Sequence, residues 1–512
     1  MDYSKFLSGT DIRGVAAEGV AGQPVDLTDE VCHHLANGFV LWLSQYTDKA
    51  PDTLTIALGH DSRISANRIS DAICESFVRA GVRVLHCGLS STPAMFMITK
   101  SQFGGENTAD GAVQITASHH PFNRNGLKFF TAEGGLNSPD VKCILTYAQS
   151  GEKPDKAPGG EVVAVPFMKK YAEILREKIK KDVNAARYDK PLEGFRIVVD
   201  AGNGAGGFYV RDVLEPLGAD TTGSLFLEPD GRFPNHIPNP EDKTAMSFIC
   251  NATDDANADL GVIFDTDVDR AGCVTVENGR ARELNRNRLV ALASVLVAEE
   301  YPHCTVVTDS ITSDGLRIFI ENTLKCEHHR FKRGYKNVIN EALRLNKEKK
   351  VAPLAIETSG HAAFMENFFL DDGAYLITKI ISKMAVLRAN GQTLSGLLAE
   401  LREPAESEEV RFPIFGEDWK KGGQQALEAL IDFTGEHASW TPAANNFEGY
   451  RVNIPELDGW FLLRMSVHDP VMPLNLESNQ PGGALLIAKA LEDFFRAQTQ
   501  LDLSAFDSFV KQ

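Results

Sequence analysis

No run of apolar residues in this 512-residue chain approaches the ~18–20 that a bilayer span needs. The start, Met1-Asp2-Tyr3-Ser4-Lys5-Phe6-Leu7, lacks a basic region followed by a long apolar stretch, so neither a membrane anchor nor a signal peptide is expected. CxxC pairs are also missing: the eight cysteines (Cys32, Cys74, Cys87, Cys143, Cys250, Cys273, Cys304 and Cys326) are scattered. That spacing offers no zinc framework and suits reduced, mostly buried thiols in a cytoplasmic chain. Positive charge is in short supply, with 52 Lys and Arg against 70 Asp and Glu, a balance of −18. Such a surface argues against coating nucleic acid, yet it permits a local basic pocket for one small anion. What is present, 43% apolar and 24% charged residues, describes a globular protein long enough for three or four domains.

Short β-branched runs alternate with stretches of helical period, the pattern of parallel α/β architecture. Three blocks share one layout. Each opens with a strand (Thr55-Ile56-Ala57-Leu58-Gly59, Arg196-Ile197-Val198-Val199-Asp200, Thr305-Val306-Val307-Thr308-Asp309). Each later carries an apolar run that ends in reactive side chains: Ala112–Ile115 before Ser118-His119-His120, Leu260–Phe264 before Asp265–Arg270, and Pro353–Ile356 before Glu357–His361. We read three tandem, diverged α/β domains around one cleft, because ligands of open α/β sheets bind beyond the carboxyl ends of strands. A Pro- and charge-rich segment at 151–160, a helix-period segment at 284–300 and a charged linker at 401–409 separate them. The remainder, with a helix near 422–434, strands at 450–454 and 459–466 and a final helix near 483–498, predicts a small α+β domain with an antiparallel sheet. The expected domains are 1–155, 165–290, 291–402 and 406–512.

Three segments carry chemistry. Asp265, Asp267 and Asp269 follow directly on a buried-type strand, and three carboxylates at i, i+2, i+4 converge when a loop coils around a hard cation. An EF-hand would require Gly and Glu where Arg270 and Val276 stand, and a helix rather than a strand before the loop. Thr116-Ala117-Ser118-His119-His120-Pro121 leads on to Lys128 without a Gly-x-Ser-x-Gly elbow, so a hydrolase triad is poorly supported. Gly202-Asn203-Gly204-Ala205-Gly206-Gly207 satisfies GxGxxG after a strand; a dinucleotide site competes here with a tight strand-to-helix turn, and the turn is favoured. The Asp and Arg of Gly9–Gly14 and Gly59–Ser65 read as ion-paired turns. Arg330, Lys332, Arg333 and Lys336 form a basic cluster, and Arg464 with Ser466 ends an apolar strand in a position suited to a phosphate.

Together these segments resemble the α-D-phosphohexomutases: GTDIRG, GHDSRIS, TASHHPFNRNGLK, DAGNGAGG, DTDVDR, ETSGH with a following DDGAY, and RMSVHDP occur in that family's order. The resemblance implies three similar α/β domains and a fourth α+β domain. It makes Ser118 the phosphoserine, with Mg²⁺ held by Asp265, Asp267, Asp269 and a phosphoserine oxygen. Lys128 then matches the general acid/base, with His119 and His361 as neighbouring candidates for proton transfer or positioning. Arg13 and Arg270 stabilise phosphoryl oxygens or tie loops together. Glu357 and Ser359 fall in the sugar loop, and Arg464, Ser466 and His468, with Lys336 or Lys332, anchor the distal phosphate. The implied activity is interconversion of glucose or mannose 1- and 6-phosphates through a bisphosphorylated sugar, with a glucose bisphosphate-type activator. The implied protein is a monomer or dimer without nucleic-acid or membrane partners. His120 departs from the Asn of many relatives, and Ser466-Val467-His468-Asp469-Pro470 from the commoner Ser-Gly-Thr-Glu-Pro. An NAD-linked oxidoreductase using Gly202–Gly207, or a silent sugar-phosphate-binding relative, is the alternative; the second would need a missing nucleophile or metal ligand, and none is missing.

Overall fold

A computed structural model describes residues 2–466 and 469–511. The chain folds as two compact units, one made of residues up to Leu296 with Ser359–Ala399, the other of Val297–Thr358 with the described residues from Glu400 onward.

The first unit holds two mixed sheets. In the larger, strands run in the order Leu7–Ser8, Asp11–Val15, Arg124–Thr131, Gly111–Ile115, Thr55–His60, Arg83–Leu89, Glu161–Ala164. Thr55–His60 lies parallel to both Gly111–Ile115 and Arg83–Leu89, whereas Arg124–Thr131 returns antiparallel beside Gly111–Ile115. All five residues of Gly111–Ile115 are buried, as expected of a central strand covered on both faces. Helix Asp29–Thr47, capped by Thr28, packs Leu35, Phe39 and Leu43 into that core. The second sheet orders Arg280–Glu283, Ala271–Glu277, Leu260–Phe264, Ile197–Asp200, its last two strands parallel. This unit also holds the antiparallel pair Ala362–Phe364 and Leu370–Asp371, followed by helix Gly373–Ala389.

In the second unit, Glu327–Arg330, Thr305–Thr308 and Leu354–Ile356 are parallel, with Thr305–Thr308 in the middle. A separate antiparallel sheet orders Glu406–Pro413, Val471–Ser478, Gly459–Leu463, Tyr450–Ile454, Thr441–Pro442 around its own core of Phe412, Phe461, Leu474 and Phe495. The fold class is therefore three tandem α/β domains and a C-terminal domain with an antiparallel sheet.

Two local readings need correction. The charged segment at 401–409 is not wholly linker: Glu406–Pro413 is a strand whose exposed residues include Glu408, Glu409 and Arg411, which suits its place at a sheet edge. The final helix is divided at Leu491 into Gly483–Ala490 and Glu492–Arg496. Among the described residues, no helix is long and apolar enough to cross a membrane.

Candidate active site

The buried strands Gly111–Ile115 and Leu260–Phe264 each end in a loop, and in the first unit the two loops meet. Ser118 adopts φ 51°, a left-handed conformation. Its N–H donates to Thr116 Oγ1 (2.9 Å), and the Thr116 hydroxyl donates to Asp61 (2.7 Å). The Ser118 hydroxyl donates to Asp265 Oδ2 (3.0 Å) and accepts from the Arg270 guanidinium (2.7 Å). Those contacts join residues 147 and 152 positions apart in sequence. The same guanidinium donates to His119 Nδ1 and to Asp265, and reaches Asn239 Oδ1 at 3.2 Å.

The acidic loop is tightly wound. Val268 sits at φ 67°, fully buried, which costs a β-branched residue about 1–3 kcal/mol. Packing from both sides holds it there. The Gly373 N–H donates to Val268 O (3.1 Å), and the Ala205 N–H of the glycine-rich turn donates to Thr266 O (2.8 Å). A Cβ on Gly204 would lie 2.6 Å from that Thr266 oxygen, so Gly202–Gly207 serves close packing against the acidic loop.

Ligand oxygens of Asp265, Asp267 and Asp269 lie within 4.8 Å of one another, and all three residues are at most 1% exposed. Lys128 on strand Arg124–Thr131 donates to Asp267 Oδ2 (2.9 Å) and to Asp269, and Thr92 Oγ1 also donates to Asp267. Burial, then the neighbouring Asp269 and Asp267, pushes the Asp265 carboxyl well above the usual range. Burial alone would do the same to Asp269, but Lys128, His361 and Arg270 outweigh it and hold that carboxyl down. With every group ionised, the carboxylates outnumber the Lys128 and Arg270 cations by one, which is costly in a buried cluster. Asp267 Oδ1 and Asp269 Oδ1 find no hydrogen-bond donor among the described residues. An oxygen-rich set with one excess negative charge and unused lone pairs fits a hard divalent cation.

The imidazoles differ in state. Arg270, then burial and His120, depress His119 far below the ordinary histidine value, so it is neutral and accepts at Nδ1. His120, lowered to about 3 by burial and then Arg13, accepts from Arg13 (2.6 Å), which also pairs with Asp11 (2.9 Å). His361 moves the other way. Burial opposes its charge, but Asp371, to which it donates at 2.5 Å, and Asp269 raise it to about 9.

The second unit gathers a different set. Glu357 follows strand Leu354–Ile356 and accepts from the Gly334 N–H (2.7 Å); Lys336 lies in the first turn of helix Tyr335–Lys347. Arg464 follows strand Gly459–Leu463 and is 5% exposed, and Ser466 Oγ accepts from the Asp469 N–H (3.3 Å). Arg451, stacked 3.4 Å from the Trp460 ring centroid, donates to the carbonyls of Ser310 and Thr312 and pairs with Asp314. The structure thus groups Ser118, His119, Lys128, Arg13, Arg270, His361 and the aspartates in the first unit, and Glu357, Lys336, Arg464 and Ser466 in the second. Ser359 is buried in the first unit, and His468 lies outside the described residues.

Sequence reasoning missed Arg63. The expected ion pair with Asp61 is there (3.3 Å), but the side chain is also fully buried and clamps the Ser118 loop, donating to the carbonyls of Pro121 (2.8 Å), Arg124 (2.8 Å), His120 (2.7 Å) and Ser118. Asp371 was missed as well; its only sequence signal was the Asp371-Asp372-Gly373 run.

Residues 7–154, 169–279 and 285–404 match the models of phosphoglucomutase/phosphomannomutase alpha/beta/alpha domains I, II and III. A phosphomannomutase/phosphoglucomutase of Pseudomonas putida is 26% identical over 86% of this chain and 87% of its own length. A phosphoglucomutase of Neisseria gonorrhoeae is 26% identical over 92% of both chains. The crystal structure of a phosphoglucomutase/phosphomannomutase family protein from Burkholderia thailandensis superposes with a TM-score of 0.76 at 23% identity, covering 98% of this chain and 97% of that one.

Proposed function

Because this chain belongs to the phosphoglucomutase/phosphomannomutase family, we propose that it is a phosphohexomutase that moves a phosphoryl group between the 1- and 6-positions of glucose or mannose by way of Ser118. The observation that carries this reading is the Ser118 hydroxyl, bonded at once to Asp265 and to Arg270 at the mouth of the buried carboxylate cluster.

Serine is a weak nucleophile, but as a phosphate carrier it divides one long transfer into two in-line displacements. In the first, the sugar's free hydroxyl bonds to phosphorus while the Ser118 Oγ–P bond breaks. Lys128, unprotonated for this step, takes the hydroxyl proton and passes it to the Ser118 oxygen as that oxygen leaves, with Arg270 supporting it. In the second, the other phosphate of the bisphosphorylated sugar bonds to Ser118 Oγ and its own C–O–P link opens at phosphorus. The enzyme then returns to its starting state.

Asp265, Asp267 and Asp269, with an oxygen on Ser118, would hold Mg²⁺, which when bound would supply charge to neutralise phosphoryl oxygens. His361, charged through Asp371, supplies a proton donor, and neutral His119, its Nδ1 taken by Arg270, positions the guanidinium that holds the reacting serine. Arg13, tied to Asp11 and His120, supports the serine loop from the edge of the sheet. In the second unit, Glu357 and Lys336 read the sugar and Arg464 and Ser466 hold the distal phosphate; in the first, Ser359 is a further sugar-reading residue. A glucose bisphosphate-type activator would restore Ser118 phosphate whenever the intermediate escapes.

Coupled assays with glucose 1-phosphate, mannose 1-phosphate and glucosamine 1-phosphate test the assignment. Turnover of the first or second, abolished in Ser118→Ala, is expected; turnover of glucosamine 1-phosphate alone would refute the sugar assignment.

A further inference from the structure

The second unit contains an anion already seated on phosphate-type donors. Glu448 precedes strand Tyr450–Ile454, and its Oε2 accepts from the Ser310 hydroxyl (2.5 Å) and the Arg333 N–H (3.1 Å). Its Oε1 faces the Arg464 guanidinium at 3.8 Å, near enough for charge attraction but too far for the 2.7–2.9 Å bond of a closed ion pair. The side chains of Glu448 and Arg464 are only 10% and 6% exposed, so water screens the pair poorly. Arg464 Nε, also buried, finds no hydrogen-bond partner among the described residues.

The surroundings repeat the theme. Arg333 lies 3.6 Å from the fully buried Asp309, and the Gly334 N–H is taken by Glu357. Both backbone N–H groups leading into helix Tyr335–Lys347 therefore end on carboxylates, at a helix terminus whose dipole favours anions. Asp309 is held by the Thr358 hydroxyl (2.7 Å) and N–H (3.3 Å), and Glu357 by a short backbone bond. Glu448 is the carboxylate of this group that stands open to Arg464. A phosphate dianion arriving at Arg464 would meet that charge across the same donors, and like charges in a poorly hydrated pocket do not share them.

We propose that Glu448 is an internal anion that occupies the donors of the distal-phosphate pocket and yields them when a sugar phosphate binds Arg464. This rests on the reading of Arg464 as the phosphate anchor. Phosphate affinity is then a difference between two anions competing for one set of donors, and Glu448 sets KM and the ease of product release. A carboxylate with an open ion pair suits that exchange, because a dianion offers Arg464 the two-pronged contact that Glu448 does not make.

Glu448→Gln keeps the size and an acceptor oxygen but removes the charge. Calorimetric titration of the folded variant with inorganic phosphate and with glucose 1-phosphate should give about tenfold tighter binding, and KM should fall by a similar factor with kcat unchanged or lower. Unchanged or weaker binding would overturn the proposal, since a residue that merely positions Arg464 would weaken binding when neutralised. Arg464→Gln separates the two readings. If its KM is unaltered, the phosphate anchor itself is wrong; if its KM rises while Glu448→Gln binds no tighter, only the internal anion falls. Should Glu448→Gln fail to fold, the wild-type enzyme crystallised with glucose 6-phosphate still decides: phosphate on Arg464 with the Glu448–Ser310 bond broken supports the proposal, and phosphate there with that bond intact overturns it.

Discussion

The two units present opposite electrostatic designs. In the first, the acidic groups are in excess: Asp265, Asp267 and Asp269 are packed against Lys128 and Arg270 with lone pairs to spare, the arrangement of a site that wants a cation. In the second, hydrogen-bond donors are gathered at the head of a helix and beside Arg464, and the protein's own carboxylates occupy them, the arrangement of a site that wants an anion. The difference lies in what each partner must do. A hard cation is held through turnover, so its ligands are fixed by strained, fully buried loops. A substrate phosphate has to arrive and leave, so its donors are kept satisfied by a group able to move.

Ser118→Ala breaks the contrast at its centre: kcat should fall on the order of 10⁴-fold or more, with folding intact by circular dichroism, since among the described residues no other hydroxyl bridges Asp265 and Arg270. Asp267→Asn sharpens the cation side. Turnover should drop about 10²–10³-fold, and the variant should lose the activation by added Mg²⁺ expected of chelator-treated wild type. Arg63→Met probes the clamp beneath the serine loop. Losing a fully buried cation that serves four carbonyls should cost about 3–5 kcal/mol, read from urea unfolding, with Arg63→Lys recovering part of it.

The smallest effect concerns His361. Its folded value, about 9, exceeds the ~6.5 of an unfolded histidine, so its charged pair with Asp371 stabilises fully below the lower value and fades as pH rises through the higher. Asp371→Asn should shift that fade toward neutral pH in melting temperatures recorded from pH 6 to about 10. An unshifted profile would remove the pair from the account.

Much of the acidic centre was legible because its residues sit together in sequence. Asp265-Thr266-Asp267-Val268-Asp269 follows a strand whose five residues are all buried, and Ser118 follows another. Those strands belong to two different sheets, and only the packing within the first unit brings their ends to the same place, which no spacing rule could have supplied. Arg63, Thr92 and Asp371 escaped notice for the same reason: each acts on a residue 10 to 175 positions away, through contacts that exist only once the sheets have formed. Glu448 gave no signal either, as one acid among many in an acidic chain. Strand Glu406–Pro413 was partly hidden because an edge strand shows solvent the charged side chains that a linker would.

Phosphopeptide mapping of the purified enzyme before and after a brief exposure to excess glucose 1-phosphate or mannose 1-phosphate tests the central claim most directly. A single phosphorylated peptide is expected, modified at Ser118, with its phosphoryl group recovered in the sugar pool at a rate no slower than turnover. A phosphate borne elsewhere, or one on Ser118 that stays put while sugar phosphates interconvert, would contradict it.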